Sequence, residues 1–259
     1  MNLQMNGKIA EQYANNAQKI RIITETWVGE NMFCPYCGNQ YISHFENNRP
    51  VADFFCPYCK EEYELKSKGA SIANKVNDGA YSTMIERISS TNNPSFFFMH
   101  YNKSDLKVEN FVMVPKYFFS AEIIEKRKPL AETARRAGWI GCNILLSQIP
   151  DDGRIFIIKN EKEVPFEEVM SKVKRTDFIR QYKLDARGWI LDILNCVNRI
   201  EDRVFTLEQM YGFVEVLALK HPENHHIKDK IRQQLQILRD KGIIEFLGQG
   251  RYRKNGFGL

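Results

Sequence analysis

The sequence predicts a mixed α/β domain followed by a smaller domain built mainly of helices. The chain has 259 residues, which exceeds the usual size of one domain and leaves room for a sizeable core plus a second domain. Three short apolar runs bounded by turn residues indicate buried strands before about residue 180. Beyond residue 188 the apolar residues recur at helical spacing. We therefore expect domains at residues 1–182 and 183–259.

The composition is that of an ordinary globular protein, with 43% hydrophobic and 27% charged residues. No apolar run is long enough to span a bilayer, and the first residues lack the apolar core of a secretory signal. The six cysteines are therefore expected in a reducing compartment, where metal binding is favoured over disulfides. The net charge is only +5, so a nucleic-acid partner must be inferred from where the charges lie.

The first 30 residues are predicted to be helical, with an apolar face formed by Ile20, Ile22, Ile23 and Trp27. Two short strand candidates follow, "VADFF" at 51–55 and "YELK" at 63–66. The stretch "NDGAYSTMIERISS" reads as a loop that turns into a helix. Asp78 could support a metal site or cap that helix near Ala80, and we favour the cap.

The three apolar runs complete the α/β domain. The segments "PSFFFMHY", "ENFVMVP" and "GRIFIIK" are short, rich in aromatic or β-branched residues and bounded by turns, so they suit buried strands. The following segment at 174–188 is polar and has no clear periodicity, so it is predicted to be the linker.

The C-terminal region is predicted to contain three helices and a hairpin. The first helix has apolar residues at helical spacing from Trp189 to Ile200. Thr206 is a suitable N-cap for a second helix at 207–220, and Asn224 for a third at 225–241. Two short strands around a Gly-Gln-Gly turn follow. Three helices followed by a basic hairpin is the order of a winged-helix domain.

Four cysteines form two C-x2-C pairs separated by eighteen residues: Cys34, Cys37, Cys56 and Cys59. This spacing is typical of a four-thiolate Zn²⁺ site, because each turn offers two sulfurs to one tetrahedral ion. Four protein ligands leave no open position for water, so such a zinc is structural. Two disulfides or four buried apolar cysteines remain the alternatives. Cys142 and Cys196 stand alone and are interpreted as core residues.

The second cysteine pair runs directly into "YELK". Side chains alternate along a strand, so Glu64 and Lys66 should share one face. Asp53 lies eleven positions before Glu64, in a strand candidate that can return through the cysteine pair to lie beside it. Two carboxylates and an amine could then hold Mg²⁺ through Asp53, Glu64 and the carbonyl of Leu65. In that reading Lys66 orients the attacking water and helps to remove its proton, and the reaction is phosphodiester hydrolysis.

Taken alone, Asp...Glu-x-Lys is a weak motif, and the alternative is a solvated strand with one ion pair. The strand context, the Pro50-x-x-Asp53 spacing and the basic C-terminal domain favour the catalytic interpretation. Together they form the pattern of the PD-(D/E)XK nuclease superfamily.

Longer stretches carry a more specific resemblance. The segments "HFENNRPVADFFC", "DGAYSTM", "RKPLAETARRAGWIGCNI", "GRIF", "ILNC" and "NHHIKDKIRQQLQILRDKGIIEF" resemble the DpnI-like methyl-directed (type IIM) restriction endonucleases nearly from end to end. The resemblance implies a PD-(D/E)XK domain with bound zinc and a C-terminal winged helix. It implies as substrate double-stranded DNA with N6-methyladenine in GATC, cut on both strands.

The resemblance extends to the site residues. Asp53, Glu64 and Lys66 match the family's catalytic positions, and the four paired cysteines match its zinc positions. The implied cofactors are catalytic Mg²⁺ and structural Zn²⁺. A protein of this kind is expected to be a monomer in solution and to work in the cytoplasm of a bacterium that lacks adenine methylation at GATC.

Polar residues of the third C-terminal helix are candidates for reading DNA in the major groove: Lys228, Lys230, Arg232, Gln233, Gln236 and Arg239. Residues of the hairpin are expected to hold the DNA backbone: Arg251, Tyr252, Arg253 and Lys254. The alternative for both sets is a solvated basic face. The residues of the methyladenine pocket are not assigned by the sequence.

A second DNA-reading candidate lies in the first domain, where Lys128, Arg135 and Arg136 precede Trp139 in a predicted loop. A loop indole beside cations can stack on or wedge against DNA. A partly buried core tryptophan is the alternative for Trp139, and Trp189 is interpreted as core.

Two other functions compete with the nuclease interpretation. In a methylated-DNA-binding regulator, the hairpin from Asp53 to Lys66 would be scaffold only. In a structure-selective repair nuclease, the third helix would contact only the DNA backbone and cleavage would ignore methylation.

Overall fold

The computed structural model describes residues 1–46, 52–69, 74–90 and 93–255. The chain divides into two units. The first comprises Met1–Ile149 with Gly153–Lys174, and the second comprises Pro150–Asp152 with Arg175–Leu259. Within the described residues, no helix has the length and apolar character needed to cross a membrane. The predicted boundary between residues 182 and 183 stays a prediction.

The helices of the first unit are α1 (Asn16–Asn31), α2 (Tyr81–Ser89) and α3 (Phe166–Thr176), whose last two residues belong to the second unit. The helix predicted for the first 30 residues therefore begins only at Asn16, after a short 3-10 turn at Gly7–Ala10. Asn15 sets this start because its side chain accepts hydrogen bonds from the amides of Ala17 and Gln18. Ile23 and Trp27 are buried as predicted, and Ile20 and Ile22 are partly buried.

The first unit has ten strands in its described residues: β1 (Ser43–His44), β2 (Phe54–Phe55), β3 (Glu62–Lys68), β4 (Lys75–Ala80), β5 (Ser95–Tyr101), β6 (Val108–Val114), β7 (Ile124–Lys126), β8 (Gly141–Leu145), β9 (Ile155–Lys159) and β10 (Lys162–Glu163). Seven form one sheet in the order β1-β2-β3-β5-β6-β9-β10, and three form another in the order β4-β8-β7. In the larger sheet β3 and β5 run parallel, and the other neighbours run antiparallel.

The three apolar runs form β5, β6 and β9, as predicted, and β3 includes the predicted strand at 63–66. Of the candidate at 51–55, only Phe54–Phe55 is a strand, and residue 51 lies outside the described residues, as does Pro50. The loop predicted before α2 is wrong, because residues 75–80 form β4. Residues of β4 alternate between exposed and half-buried, which is the pattern of a strand with one covered face.

Aromatic rings build the core between α1 and the larger sheet. Phe97 stacks on Tyr63 at 4.6 Å between ring centroids and lies 5.0 Å from Phe111, which in turn contacts Trp27 of α1 at 5.7 Å. All four side chains are buried. Replacing such a phenylalanine by alanine costs about 3–5 kcal/mol, so this stack holds β3 firmly in place.

The second unit contains α4 (Leu184–Arg199), β11 (Val204–Thr206), α5 (Leu207–Tyr211), α6 (Val214–Lys220), α7 (Ile227–Asp240), β12 (Ile244–Gly248) and β13 (Arg251–Lys254). The strands form an antiparallel sheet in the order β11-β13-β12. Helices followed by a hairpin agree with the predicted winged-helix order. The turn of the hairpin has positive φ at Gly248, Gln249 and Gly250, which explains its glycines.

Several local predictions for this unit need correction. The predicted linker at 174–188 contains the end of α3, a 3-10 turn at Asp177–Gln181 and the start of α4. The second predicted helix is divided into α5 and α6 near Gly212. Asn224 is not the N-cap of α7; it accepts a hydrogen bond from the amide of His226, which occupies that position. Thr206 does cap α5, in a capping box with Gln209.

Candidate active site and metal centre

A hairpin of β2 and β3 joins the cysteines to the predicted catalytic residues. Phe54 pairs with Tyr63 and Phe55 with Glu62 in antiparallel register. The hairpin closes where the amide of Cys56 donates to the carbonyl of Glu61 at 2.8 Å. The second cysteine pair is thus the loop of this hairpin.

The four paired cysteines converge on one point. Their sulfur atoms all lie within 4.8 Å of one another, with Cys34 to Cys59 at 3.5 Å and Cys37 to Cys56 at 3.6 Å. A tetrahedral zinc with Zn–S bonds of about 2.3 Å places its sulfurs roughly 3.8 Å apart. All four are free thiols, which argues against the disulfide alternative. The cluster could therefore hold a metal ion such as zinc.

The two cysteine loops share one backbone geometry. The amide of Gly38 donates to the carbonyl of Cys34 at 2.9 Å, and the amide of Lys60 donates to that of Cys56 at 3.0 Å. Gly38 and Lys60 both have positive φ, at 78° and 63°. Burial raises the pKa of the Cys34 thiol to about 11, so this thiol keeps its proton until a cation displaces it. The two cysteines outside this cluster, Cys142 and Cys196, are buried as predicted.

The structure brings Asp53, Glu64 and Lys66 together at one face of β3. The Lys66 ammonium lies 2.6 Å from Glu64 Oε1. Asp53 reaches the same strand because its Oδ2 accepts a hydrogen bond from the amide of Leu65 at 2.8 Å. Glu64 and Lys66 thus lie on one face, and the hairpin places Asp53 beside them.

Asp78 is a fourth member of this cluster, and its predicted role as a helix cap is wrong. It lies in β4, and α2 begins at Tyr81 with Ala80 as an N-cap that makes no side-chain bond. Its carboxylate lies 2.5 Å from the Lys66 ammonium, and its side chain is only 5% exposed. The alternation of Val76, Asp78 and Ala80 within β4 is a sequence signal that could have located it.

Arg87 of α2 completes the surroundings of Glu64, with Nη2 3.2 Å from Oε2. Burial raises the pKa of Glu64, although the charges of Lys66 and Arg87 oppose that effect. An ionised Glu64 is therefore costly without cations around it. The helical phase of "YSTMIERISS" gave no indication that Arg87 would reach β3.

The Lys66 ammonium lies between two carboxylates. Burial alone lowers its pKa, but the charges of Glu64 and Asp78 outweigh burial, so the pKa is raised. Lys66 therefore stays protonated in this arrangement and is a poor proton acceptor. The sequence-based expectation that it removes a proton from water does not fit these surroundings.

Residues of α1 border Asp53 on its other side. Arg21 Nη2 lies 4.0 Å from Asp53 Oδ1, and Arg21 also pairs with Glu25 at 2.6 Å. Glu25 lies 3.0 Å from His44. Burial raises the pKa of Asp53, the Glu25 charge adds to this, and the Leu65 amide and Arg21 oppose it. A cation near Asp53 and Glu64 would relieve the cost of keeping both ionised, and their oxygens are the ligands that Mg²⁺ prefers.

In the first unit the predicted DNA-reading residues lie in the loop at 127–140, between β7 and β8. Lys128, Arg135 and Arg136 are exposed and Trp139 is half-buried. The Arg136 guanidinium lies 4.6 Å from the centroid of the Trp139 ring. The ring also covers Gly141, where an added Cβ would approach it to 2.8 Å. Trp139 is thus both a surface residue and a local packing element.

In the second unit, α7 separates its residues into two faces. The apolar stripe predicted for the third helix is buried, and the polar candidates face solvent: Lys228, Arg232, Gln233, Gln236 and Arg239. Arg232 is held by the Tyr211 hydroxyl at 2.8 Å and by Asp229. Trp189 is buried as predicted.

The hairpin of the second unit offers fewer cations than predicted. Arg251 is exposed, and the half-buried Arg253 lies 3.2 Å from Glu245. Lys254 is only 8% exposed and donates to the carbonyl of Ile200. Lys254 is therefore a structural residue and not a phosphate contact.

Two family models match the chain. One, described as DpnI, the Dam-replacing family, matches residues 1–182. The other, described as the Dam-replacing HTH domain, matches residues 185–254. Together they span the hairpin, the cysteine cluster, α7 and the C-terminal strands.

Proposed function

The chain belongs to the DpnI, or Dam-replacing, family and carries that family's HTH domain, and from this premise we propose that it is a methyl-directed type II restriction endonuclease. The proposed reaction is Mg²⁺-dependent hydrolysis of phosphodiester bonds in double-stranded DNA at GATC containing N6-methyladenine. The proposal combines the family membership with the nuclease pattern of the hairpin and the polar face of α7.

The observation that carries the nuclease proposal is the convergence of three side chains on β3. Lys66 lies 2.6 Å from Glu64, and Asp53 is tied to the amide between them at 2.8 Å. A solvated strand with one ion pair would not explain why Glu64, Lys66 and Asp78 are all largely buried beside an oxygen-rich cluster.

Mg²⁺ would be held by Asp53, Glu64 and the carbonyl of Leu65. When bound, it would polarise the scissile phosphate and lower the pKa of the attacking water. Glu64 lies in β3, and Asp53 immediately precedes β2 with its amide bonded to the carbonyl of Tyr63. Main-chain pairing therefore fixes the relative positions of the two residues.

Lys66 acts as a cation in this mechanism. It orients the attacking water and stabilises the negative charge that develops on the phosphate. Asp78 is a positioning residue that holds the Lys66 ammonium from the opposite side to Glu64. The four thiolates of Cys34, Cys37, Cys56 and Cys59 hold Zn²⁺ in a structural role and brace the hairpin.

The second unit reads DNA through α7. Gln233 and Gln236 are amides suited to base edges, and the exposed arginines and lysines suit guanine edges or phosphates. In the first unit, the loop containing Trp139 adds a second DNA contact. The partner is duplex DNA, and the protein acts as a monomer within the bacterial cytoplasm, where the DNA lies and thiolates stay reduced.

The test is digestion of three matched duplexes that hold one GATC with no, one or two N6-methyl groups. Each is incubated with Mg²⁺ and with EDTA. Lys66→Ala and Asp53→Asn are the inactive controls, and their binding to each duplex is measured in parallel. We expect cleavage of methylated duplex only, with Mg²⁺ only, and by the unmutated protein only.

Other outcomes separate the competing functions. Methyl-selective binding without any cleavage would identify a DNA-binding regulator. Cleavage that ignores methylation would identify a nuclease with another target and would contradict the methyl-directed reading.

A further inference from the structure

Tyr63 occupies a special position in β3, immediately before Glu64. Its side chain is fully buried between the cysteine cluster and the aromatic core. The hydroxyl lies 3.0 Å from the sulfur of Cys34, which is also fully buried. Either group can donate while Cys34 is a thiol, but only the phenol hydroxyl can donate to a thiolate, which is a much better acceptor than a thiol.

The main chain of the same residue holds the catalytic hairpin. The carbonyl of Tyr63 accepts a hydrogen bond from the amide of Asp53 at 2.9 Å. Two residues further on, the amide of Leu65 donates to the Asp53 carboxylate. The position of Asp53 is therefore fixed at two points of β3, and the first of them belongs to Tyr63.

The ring of Tyr63 is packed against the neighbouring strand. It stacks on Phe97 with ring planes only 9° apart, and Phe97 lies in the neighbouring strand β5. The ring is rigid, its hydroxyl contacts the sulfur of Cys34, and its other end is attached to β3. A displacement of Cys34 is therefore transmitted to the backbone at residue 63.

We propose that Tyr63 is a positioning residue that joins the cysteine-bound metal to the nuclease site, with its hydroxyl on the Cys34 thiolate and its main chain on Asp53. This inference rests on the proposed function and specifies how the structural metal supports it. When the metal is absent, the hydroxyl faces a weak acceptor in a buried place, and the hairpin loses part of its support.

The chain offers a matched control in Tyr58, which occupies the equivalent place to Tyr36 in the second cysteine loop and is 79% exposed. Tyr63→Phe and Tyr58→Phe each remove one hydroxyl and leave the ring. Only the first removes a hydrogen bond to a metal ligand.

Two binding measurements test the proposal on the full-length zinc-loaded protein. The first is the rate of zinc release to a chromophoric chelator. The second is Mn²⁺ binding at the Asp53 and Glu64 carboxylates, measured by calorimetry, with Asp53→Ala defining binding elsewhere. For Tyr63→Phe we expect release about 10- to 100-fold faster and weaker Mn²⁺ binding, with Tyr58→Phe unchanged in both.

Unchanged zinc release in Tyr63→Phe would overturn the proposal, and so would faster release with unchanged Mn²⁺ binding, since the hydroxyl would then serve only the cysteine cluster. Neither measurement depends on cleavage. If the protein cleaves no duplex, the proposed function is refuted, but the two binding measurements still test the role of Tyr63.

If Tyr63→Phe does not fold, the alternative experiment is hydrogen exchange at the Asp53 and Leu65 amides of the unmutated protein, measured with and without zinc. Equal protection in both states would contradict the coupling.

Discussion

The place of Lys66 beside Glu64 and the protonation of its amine depend on contacts that lie at different distances along the sequence. Its place beside Glu64 follows from strand alternation alone, which requires only local geometry. Its proton affinity depends on Asp78, a residue from a different sheet, which raises the pKa of the ammonium together with Glu64. No local pattern links residues 66 and 78 directly, so the sequence left Asp78 with two possible roles, support of the metal site or helix cap, and the cap was favoured.

Replacing Asp78 by asparagine tests this environment. Loss of one carboxylate lowers the pKa of Lys66, so the variant should lose its ammonium, and its activity, at a lower pH than the parent. We expect kcat/KM on methylated duplex to fall about 10- to 100-fold. The measurement is a pH profile of kcat/KM for Asp78→Asn.

Asp105→Asn serves as its control, because Asp105 is exposed and, in the described residues, its carboxylate accepts a hydrogen bond from the nearby amide of Lys107. An alkaline limb that does not shift in Asp78→Asn would show that the 2.5 Å contact has no role in setting the charge on Lys66.

Secondary-structure elements were predicted best where a pattern is strong and local. The buried aromatic strand at 95–101 and the N-cap at Thr206 were both predicted from the sequence. The segment at 174–188 was not, because its helical turns bury few side chains, Ile179 among them, and so show little periodicity. Likewise β11 is only three residues long and gains its stability from β13.

The polar face of α7 and the adjacent hairpin should contribute differently to DNA binding. Arg251 is proposed to contact phosphate, so Arg251→Ala should weaken binding to all three duplexes equally and lower the slope of log K against log salt by about 1. Gln236 is proposed to contact a base edge, so Gln236→Ala should reduce the preference for methylated duplex by about 1–3 kcal/mol and leave the salt slope unchanged.

Each substitution is made in the Lys66→Ala protein, so that cleavage does not interfere, and equilibrium binding to the three duplexes is measured. Equal losses from Gln236→Ala on methylated and unmethylated duplex would place this glutamine among the backbone contacts and would remove it from the reading face.

For the molecule as a whole, removal of the metal should act on one unit. The cysteine cluster, β2 and β3 all belong to the first unit, and a structural zinc contributes directly to folding free energy. After chelation we expect faster hydrogen exchange across β3 and β5. The measurement is hydrogen exchange detected by mass spectrometry in peptides from both units. Peptides of α7 should remain unchanged. Increased exchange in α7 would show that the second unit also depends on the metal.

A pH effect should act on the other unit through Asp152. Burial raises the pKa of this carboxyl to about 6 against an unfolded value of 3.8, although the Arg175 charge opposes the shift. The folded state therefore holds the proton more tightly, and this contribution to stability is greatest below about pH 4, falls as pH rises to about 6 and is then constant.

Asp152→Asn should remove the decrease in stability that ionisation of Asp152 causes as the pH rises. Because Asp152 is half-buried, we expect a gain of about 1–2 kcal/mol above pH 6 and none near pH 4, less than the full pKa difference implies. The measurement is denaturant unfolding of the second unit's tryptophan signal at several pH values, with the exposed Asp202→Asn as control. A gain that is the same at pH 4 and pH 8 would mean that ionisation of Asp152 is not its cause.

The short β2–β3 hairpin has a consequence for how a newly made chain acquires activity. Its contacts are local in sequence and close quickly, whereas the partner of Lys66 in β4 and the parallel strand β5 require longer loops to form. If zinc capture fixes the hairpin first, the nuclease site is assembled only after the ion has arrived. We therefore expect a freshly synthesised molecule to stay harmless to DNA until it is metallated, so that the supply of zinc sets the moment at which cleavage begins.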